Sequence, residues 1–300
     1  MRFAAVSSSV MFEHKPKYQH PENPERLRVV LEVLEELNIP ILEAKPIRKE
    51  ELYSIHAVDY VEKVESYCKR GLDIDTDTYT SEGTFKAALT AAGALLPYID
   101  EYDILFAAVR PPGHHAGRRG KAMLAPTNGF CIFNNAAFLA KKLLERYHTV
   151  GIFDFDLHHG NGTQEIFYYE PRVIHCDIHQ HYATIYPGSG TPEQDGGGEA
   201  KGTKMNINLE PGTGDEEYMD AVDFCMEKLG GSDVVVVSAG FDAYFRDGMS
   251  SLKITEKTYE YIGKTLRKNF DKIYIVLEGG YTEGLRKALP SFLKGLLGKS

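Results

Sequence analysis

Short, largely apolar runs alternate along this chain with longer stretches in which apolar residues recur every three or four positions. The runs at 1–6, 39–44, 104–109, 149–153, 173–178, 205–209, 233–238 and 272–277 are too short for helices and predict strands. The periodic stretches predict helices: one behind an Asn23 cap with Pro24 at its first position, others over 50–69, 81–98, 164–169, 215–229, 255–270 and 283–297, and one leading from 135 to 147. Leu27, Val30, Leu31, Leu34 and Leu37 form the buried stripe of the first helix; Leu52, Ile55, Val58 and Val61 face inward in the second, where His56 is structural. Between these elements, 12–22 reads as a surface loop, 73–80 as an acidic loop, and 117–128 and 187–202 as longer loops. Because strands alternate with helices and several strands are continuous apolar runs rather than alternating ones, the expected architecture is α/β: a mainly parallel sheet with helices over both faces. No repeat or linker interrupts it, so 1–300 reads as a single domain.

Polar residues cluster where apolar runs end. The richest cluster is Asp154-Phe155-Asp156-Leu157-His158-His159-Gly160-Asn161-Gly162. If the strand continues through it, alternation places Asp154, Asp156 and His158 on one side, roughly 7 Å apart in succession. Three more runs lead into His114-His115, Asp242 and Tyr281, and in an open parallel sheet ligands sit beyond the carboxyl ends of the strands. Asp156, His158 and Asp242 offer three oxygen or nitrogen ligands and leave a fourth position open, the pattern of a catalytic zinc. Such a metal lowers the pKa of water from 15.7 to about 7 and polarises a carbonyl. His114 and His115 suit general base and acid, with Asp154 and Asn161 as candidates to fix their tautomers. Tyr281, after two glycines, can donate to a developing oxyanion. The glycines of 187–202 neither follow a strand nor open a helix, which excludes a phosphate-binding loop.

The balance of 34 basic and 43 acidic residues, a net charge of −9, argues against nucleic acid as a general partner and mildly favours a cationic ligand. Cys68, Cys131, Cys176 and Cys225 are dispersed, which fits reduced thiols and a cytoplasmic location. No run reaches the ~20 apolar residues that span a bilayer, so no membrane association is expected.

Together the motifs Arg110-Pro111-Pro112-Gly113-His114-His115-Ala116, Gly129-Phe130-Cys131-Ile132-Phe133-Asn134-Asn135, the 154–162 segment, Tyr186-Pro187-Gly188, Ala239-Gly240-Phe241-Asp242 and Glu278-Gly279-Gly280-Tyr281 resemble the histone deacetylase family, acetylpolyamine amidohydrolases included, over essentially the whole chain. The resemblance implies a three-layer arginase/deacetylase-like fold and removal of acetyl groups from acetyl-lysine in proteins or from acetylpolyamines. It makes Asp156, His158 and Asp242 the ligands of one zinc ion, and Tyr281 the residue on the acetyl oxygen. It places Gly129, Phe130 and Tyr186 along a narrow channel, Asp77 at its rim, and a structural potassium beside Asp154, Asp156 and His158. Asn161 stands where one branch of the family has aspartate, so this chain leans to class II. Some polyamine-specific relatives close their channel by dimerising, which makes a homo-oligomer compatible. An arginase-like two-metal site is disfavoured, since the positions two after His158 and Asp242 are Gly160 and Tyr244. A module that binds acetylated chains without cleaving them is the non-enzymatic alternative, disfavoured because the catalytic set is complete.

Overall fold

All eight apolar runs become strands of one sheet in the computed structural model, which describes residues 1–298. They are β1 (Phe3–Ser7), β2 (Ile41–Glu43), β3 (Ile104–Ala107), β4 (Val150–Asp154), β5 (Val173–Gln180), β6 (Lys204–Leu209), β7 (Val234–Ala239) and β8 (Ile273–Leu277). Their order is β2-β1-β3-β8-β7-β4-β5-β6 and every pairing is parallel. The central strands β3, β8, β7 and β4 are buried at every position, which is why they read as unbroken apolar runs. At the β2 edge, Ile41 and Glu43 are exposed.

Helices cover the sheet: α1 (Pro24–Glu36), α2 (Val58–Arg70), α3 (Thr84–Gly93), α4 (Asn135–Leu143), α5 (Asn161–Phe167), α6 (Asp215–Leu229), α7 (Glu256–Asn269) and α8 (Leu289–Leu297). Asn23 caps α1 by accepting from the Glu25 amide at 2.9 Å, and Leu27, Val30 and Leu34 on its inner face are fully buried. One continuous cluster of buried side chains joins helices to sheet. The result is the parallel α/β arrangement expected from the sequence.

Two expectations need correction. The helix over 50–69 is a 3₁₀ segment, Lys49–Ser54, followed by α2. The chain breaks because the Ala57 amide bonds to Arg118 O at 2.7 Å and His56 is engaged by two other segments, so these tertiary bonds override the local period. Val58, at the first position of α2, is 53% exposed instead of inward. Residues 12–22 are not simply a surface loop either, because His14, His20 and Glu22 are buried. Glu22 is drawn inside by the Arg110 guanidinium, whose Nε and Nη2 donate to its two oxygens at 2.6 and 2.7 Å.

Candidate active site

The four strands that lead into the polar clusters are neighbours, in the order β3, β8, β7, β4. Their carboxyl ends therefore deliver His114 and His115, Tyr281, Asp242 and the 154–162 segment to one place. β4 ends at Asp154, and the following residues turn instead of staying extended. The turn is closed by the carboxylates themselves: Asp154 Oδ1 accepts the Asp156 amide at 3.1 Å, and Asp156 Oδ1 accepts the His158 amide at 2.9 Å. Asp156 and His158 therefore meet by turning, while Asp154 faces His114.

His158 Nδ1 lies 3.1 Å from Asp156 Oδ1 and 3.1 Å from Asp242 Oδ2. A single ring proton cannot satisfy both, and Asp242 Oδ2 is left, fully buried, without an aligned donor. Burial alone would lower the His158 imidazole, but the two carboxylates outweigh it and raise it to about 9. A buried trio that holds a proton this firmly is chemically suited to a cation. The donor atoms lie within 4.8 Å of one another, and a Cβ on Gly279 would sit 2.5 Å from Oδ2 of both aspartates. The residues fit a metal with two acids and one imidazole as ligands. Asp154 belongs to a separate compact group with His175 and Asp177, near the potassium position that the resemblance implied.

The tandem histidines have different partners. His114 Nδ1 is 3.0 Å from Asp154 Oδ2, and its Nε2 is 3.7 Å from Asp156 Oδ1. Burial opposes its charge, yet Asp156 and Asp154 hold it well above the ordinary imidazole range. His115 Nδ1 is 2.7 Å from Asn161 Oδ1, a neutral acceptor. Burial, with His114 and His158 beside it, holds His115 well below that range. The two imidazoles are thus shifted in opposite directions.

Above this floor a channel of about 170 Å³ is lined by Asp77, His115, Gly129, Phe130, His158, Tyr186, Met249 and Tyr281. Gly129 has φ +55°, and a Cβ there would meet His115 Cδ2 at 2.5 Å and the Tyr186 hydroxyl at 2.9 Å. The Tyr186 ring stands edge-on to His115 with centroids 4.9 Å apart, and its hydroxyl donates to Thr127 O at 2.9 Å. Phe130 is perpendicular to Tyr281 at 5.9 Å. Asp77 accepts from the hydroxyls of Thr78 and Thr127, which fix its carboxylate. Burial pushes the Tyr281 phenol well above its ordinary range, so it stays a donor. A larger groove of about 730 Å³, between β1, α1 and the β2 edge, is lined by no histidine, cysteine or aspartate.

Several contributors were missed at the level of sequence. Met249 lines the channel from a glycine-flanked loop with no motif around it. Glu278 is buried and accepts the Gly113 and His114 amides at 2.8 and 3.1 Å, fixing the turn before the tandem histidines. Glu22 and Arg26, 3.1 Å apart, had a legible signal in their four-residue spacing at the start of α1.

A parallel α/β sheet carrying an acid-imidazole-acid trio beneath a narrow apolar channel defines a metal-site amidohydrolase architecture. The histone deacetylase domain model matches residues 20–296, and the chain belongs to that family. It is 44% identical over 292 residues to an uncharacterized protein of Methanocaldococcus jannaschii, covering 94% of this chain and 84% of that one. It is 36% identical over 305 residues to a protein of Archaeoglobus fulgidus named as a probable deacetylase, covering 95% and 82%. Among solved structures, the HDA15 HD domain superposes with a TM-score of 0.89 at 32% identity, covering 99% of this chain and 91% of that chain. The acetylpolyamine aminohydrolase from Burkholderia pseudomallei superposes at 0.87 with 25% identity, covering 98% of each.

Proposed function

We propose that this protein is a zinc-dependent deacetylase that hydrolyses the N-acetyl amide at the end of a linear alkyl amine, acetyl-lysine or an acetylpolyamine, in the cytoplasm. The observation that carries the reading is His158 held between two buried carboxylates at the floor of an apolar channel. Zinc held by Asp156, His158 and Asp242 would supply a Lewis acid that acidifies water and polarises the acyl oxygen. The channel, lined by Gly129, Phe130 and Tyr186, takes the unbranched alkyl chain, while Asp77, which also lines it, receives the amide or amine of the substrate. His115, neutral and facing the channel, takes the proton of the attacking water and returns it to the departing amine. His114, charged between Asp154 and Asp156, keeps its proton and offsets the two acids. Tyr281 donates its phenolic hydrogen to the oxygen that gains charge. Asp154, which orients His114 and stands beside His175 and Asp177, is the side chain we assign to a structural potassium ion.

The test is a panel of acetyl-lysine peptides and acetylated polyamines, with release of acetate measured on zinc-supplied protein. Turnover of one class is expected, with Tyr281→Phe reducing kcat by about 10²- to 10³-fold. Acetate release from neither class, or an unchanged rate in Tyr281→Phe, would exclude the proposed chemistry. Tight binding of acetylated chains without turnover would favour a recognition role instead.

A further inference from the structure

Tyr281 follows Gly279 and Gly280, and Gly280 lies at φ +110°, so its own backbone does little to fix where the ring points. The loop is held instead from both sides. On one, Arg26 donates from Nε to Gly280 O at 2.6 Å and from Nη2 to Glu278 O, and its guanidinium lies 4.7 Å from the centre of the Tyr281 ring. On the other is Asp247, only 3% exposed. Its Oδ2 accepts the Tyr281 amide at 2.9 Å. Its Oδ1 accepts the Thr282 amide at 2.8 Å and the Gly284 amide at 2.9 Å, and shares the Thr282 hydroxyl, at 3.1 Å, with Asp247 O at 3.0 Å. Asp247 is itself tied down, since its amide donates to Tyr244 O at 2.9 Å, two residues beyond Asp242.

We infer that Asp247 is the positioning residue for Tyr281, registering the phenol against the metal-ligand loop that carries Asp242. The inference rests on the reading of Tyr281 as donor to the acyl oxygen. A carboxylate is required because every group facing it is a donor. An asparagine amide in its place keeps one accepting oxygen and turns two hydrogens toward other hydrogens. A helix cap alone would need only the Gly284 bond. The separate bond from Oδ2 to the Tyr281 amide is what ties the carboxylate to the reacting group, and a misplacement of about 1 Å there can cost 10²-fold in rate.

The experiment is a double-mutant cycle on the zinc-supplied protein with an acetyl-lysine peptide. Asp247→Asn is expected to lower kcat by about 10- to 100-fold with KM within about 3-fold, and to add nothing measurable to the loss in Tyr281→Phe. Hydrogen exchange on the metal-free protein should show the Tyr281 amide at least about 10-fold faster in Asp247→Asn while β8 amides hold their rates. If Asp247→Asn does not fold, Asp247→Ser, which also keeps one accepting oxygen, enters both measurements. An undiminished kcat in the Asp247 variant while Tyr281→Phe is slow overturns this inference alone, as does a loss that multiplies with that of Tyr281→Phe. A Tyr281→Phe variant as fast as wild type removes the functional reading and this inference with it.

Discussion

The two carboxylates beside His158 share a space that glycine alone can line. Gly279→Ala would drive a methyl group onto the Oδ2 atoms of Asp156 and Asp242, 2.5 Å from each. Its zinc affinity, measured by chelator competition, is expected to fall at least about 10-fold. Asp242→Ala should lose the metal outright, and a full complement of zinc in that variant would remove Asp242 from the ligand set. Glu22 makes a different demand, because it sits fully buried between Arg110 and Arg26. Glu22→Ala leaves both guanidiniums without their acid, and urea unfolding should show a loss of about 3–5 kcal/mol. Burial alone would raise the Glu22 carboxyl, but Arg110 foremost holds it well below its ordinary 4.5. Its contribution is therefore complete above pH 4.5 and is lost as pH falls through the lower folded-state value. Asp156, His158 and Asp242 were legible as candidates through the company of the other strand-end clusters, since an acid and an imidazole two apart, taken alone, more often mark an ordinary core histidine. Met249 and Asp247 gave no such signal, since an acid or methionine in a loop looks the same whether it ends inside or outside.

At the scale of elements, the sequence indicated which segments form strands and helices better than where they stop. The 50–69 stretch has helical spacing, yet the bonds that break it run to residues more than 50 positions away, which periodicity cannot register. The alternation argument at 154–158 failed for a related reason: the side chains bonded to the backbone and turned it. His56 shows what such a break does. Its Nδ1 donates to Gly117 O at 2.8 Å and its Nε2 accepts the Asn134 amide at 3.0 Å, stitching α2's approach to the loops on either side of the channel wall. Only the neutral ring can make both bonds. Burial lowers it from 6.5 to about 4. The unfolded chain takes up this proton near pH 6.5 and the folded one only near 4, so stability falls as pH drops through that window. The loss should approach on the order of 3 kcal/mol, and the difference between wild type and His56→Gln in stability-versus-pH curves measures it. Parallel slopes for the two proteins would assign the acid sensitivity elsewhere.

For the molecule as a whole, the parallel sense of the sheet was legible in the continuous apolar runs of its central strands, but the neighbour order was not. Nothing local states that β8 inserts between β3 and β7, and that insertion is what assembles the site. The net charge of −9 has a consequence on the same scale. A substrate peptide with flanking lysines is expected to lose about 10-fold in kcat/KM between low and 0.5 M salt, while a neutral peptide barely changes. Equal salt dependence for the two would show that the surface field does not steer encounter. One-way strands also give the protein two unlike poles. The residues that open the strands, such as Asp103 with Lys272 3.0 Å away, gather at the pole opposite the candidate site. A tether fixed at position 272 would immobilise the enzyme with its mouth toward the solution, leaving long acetylated chains free to thread from the open side.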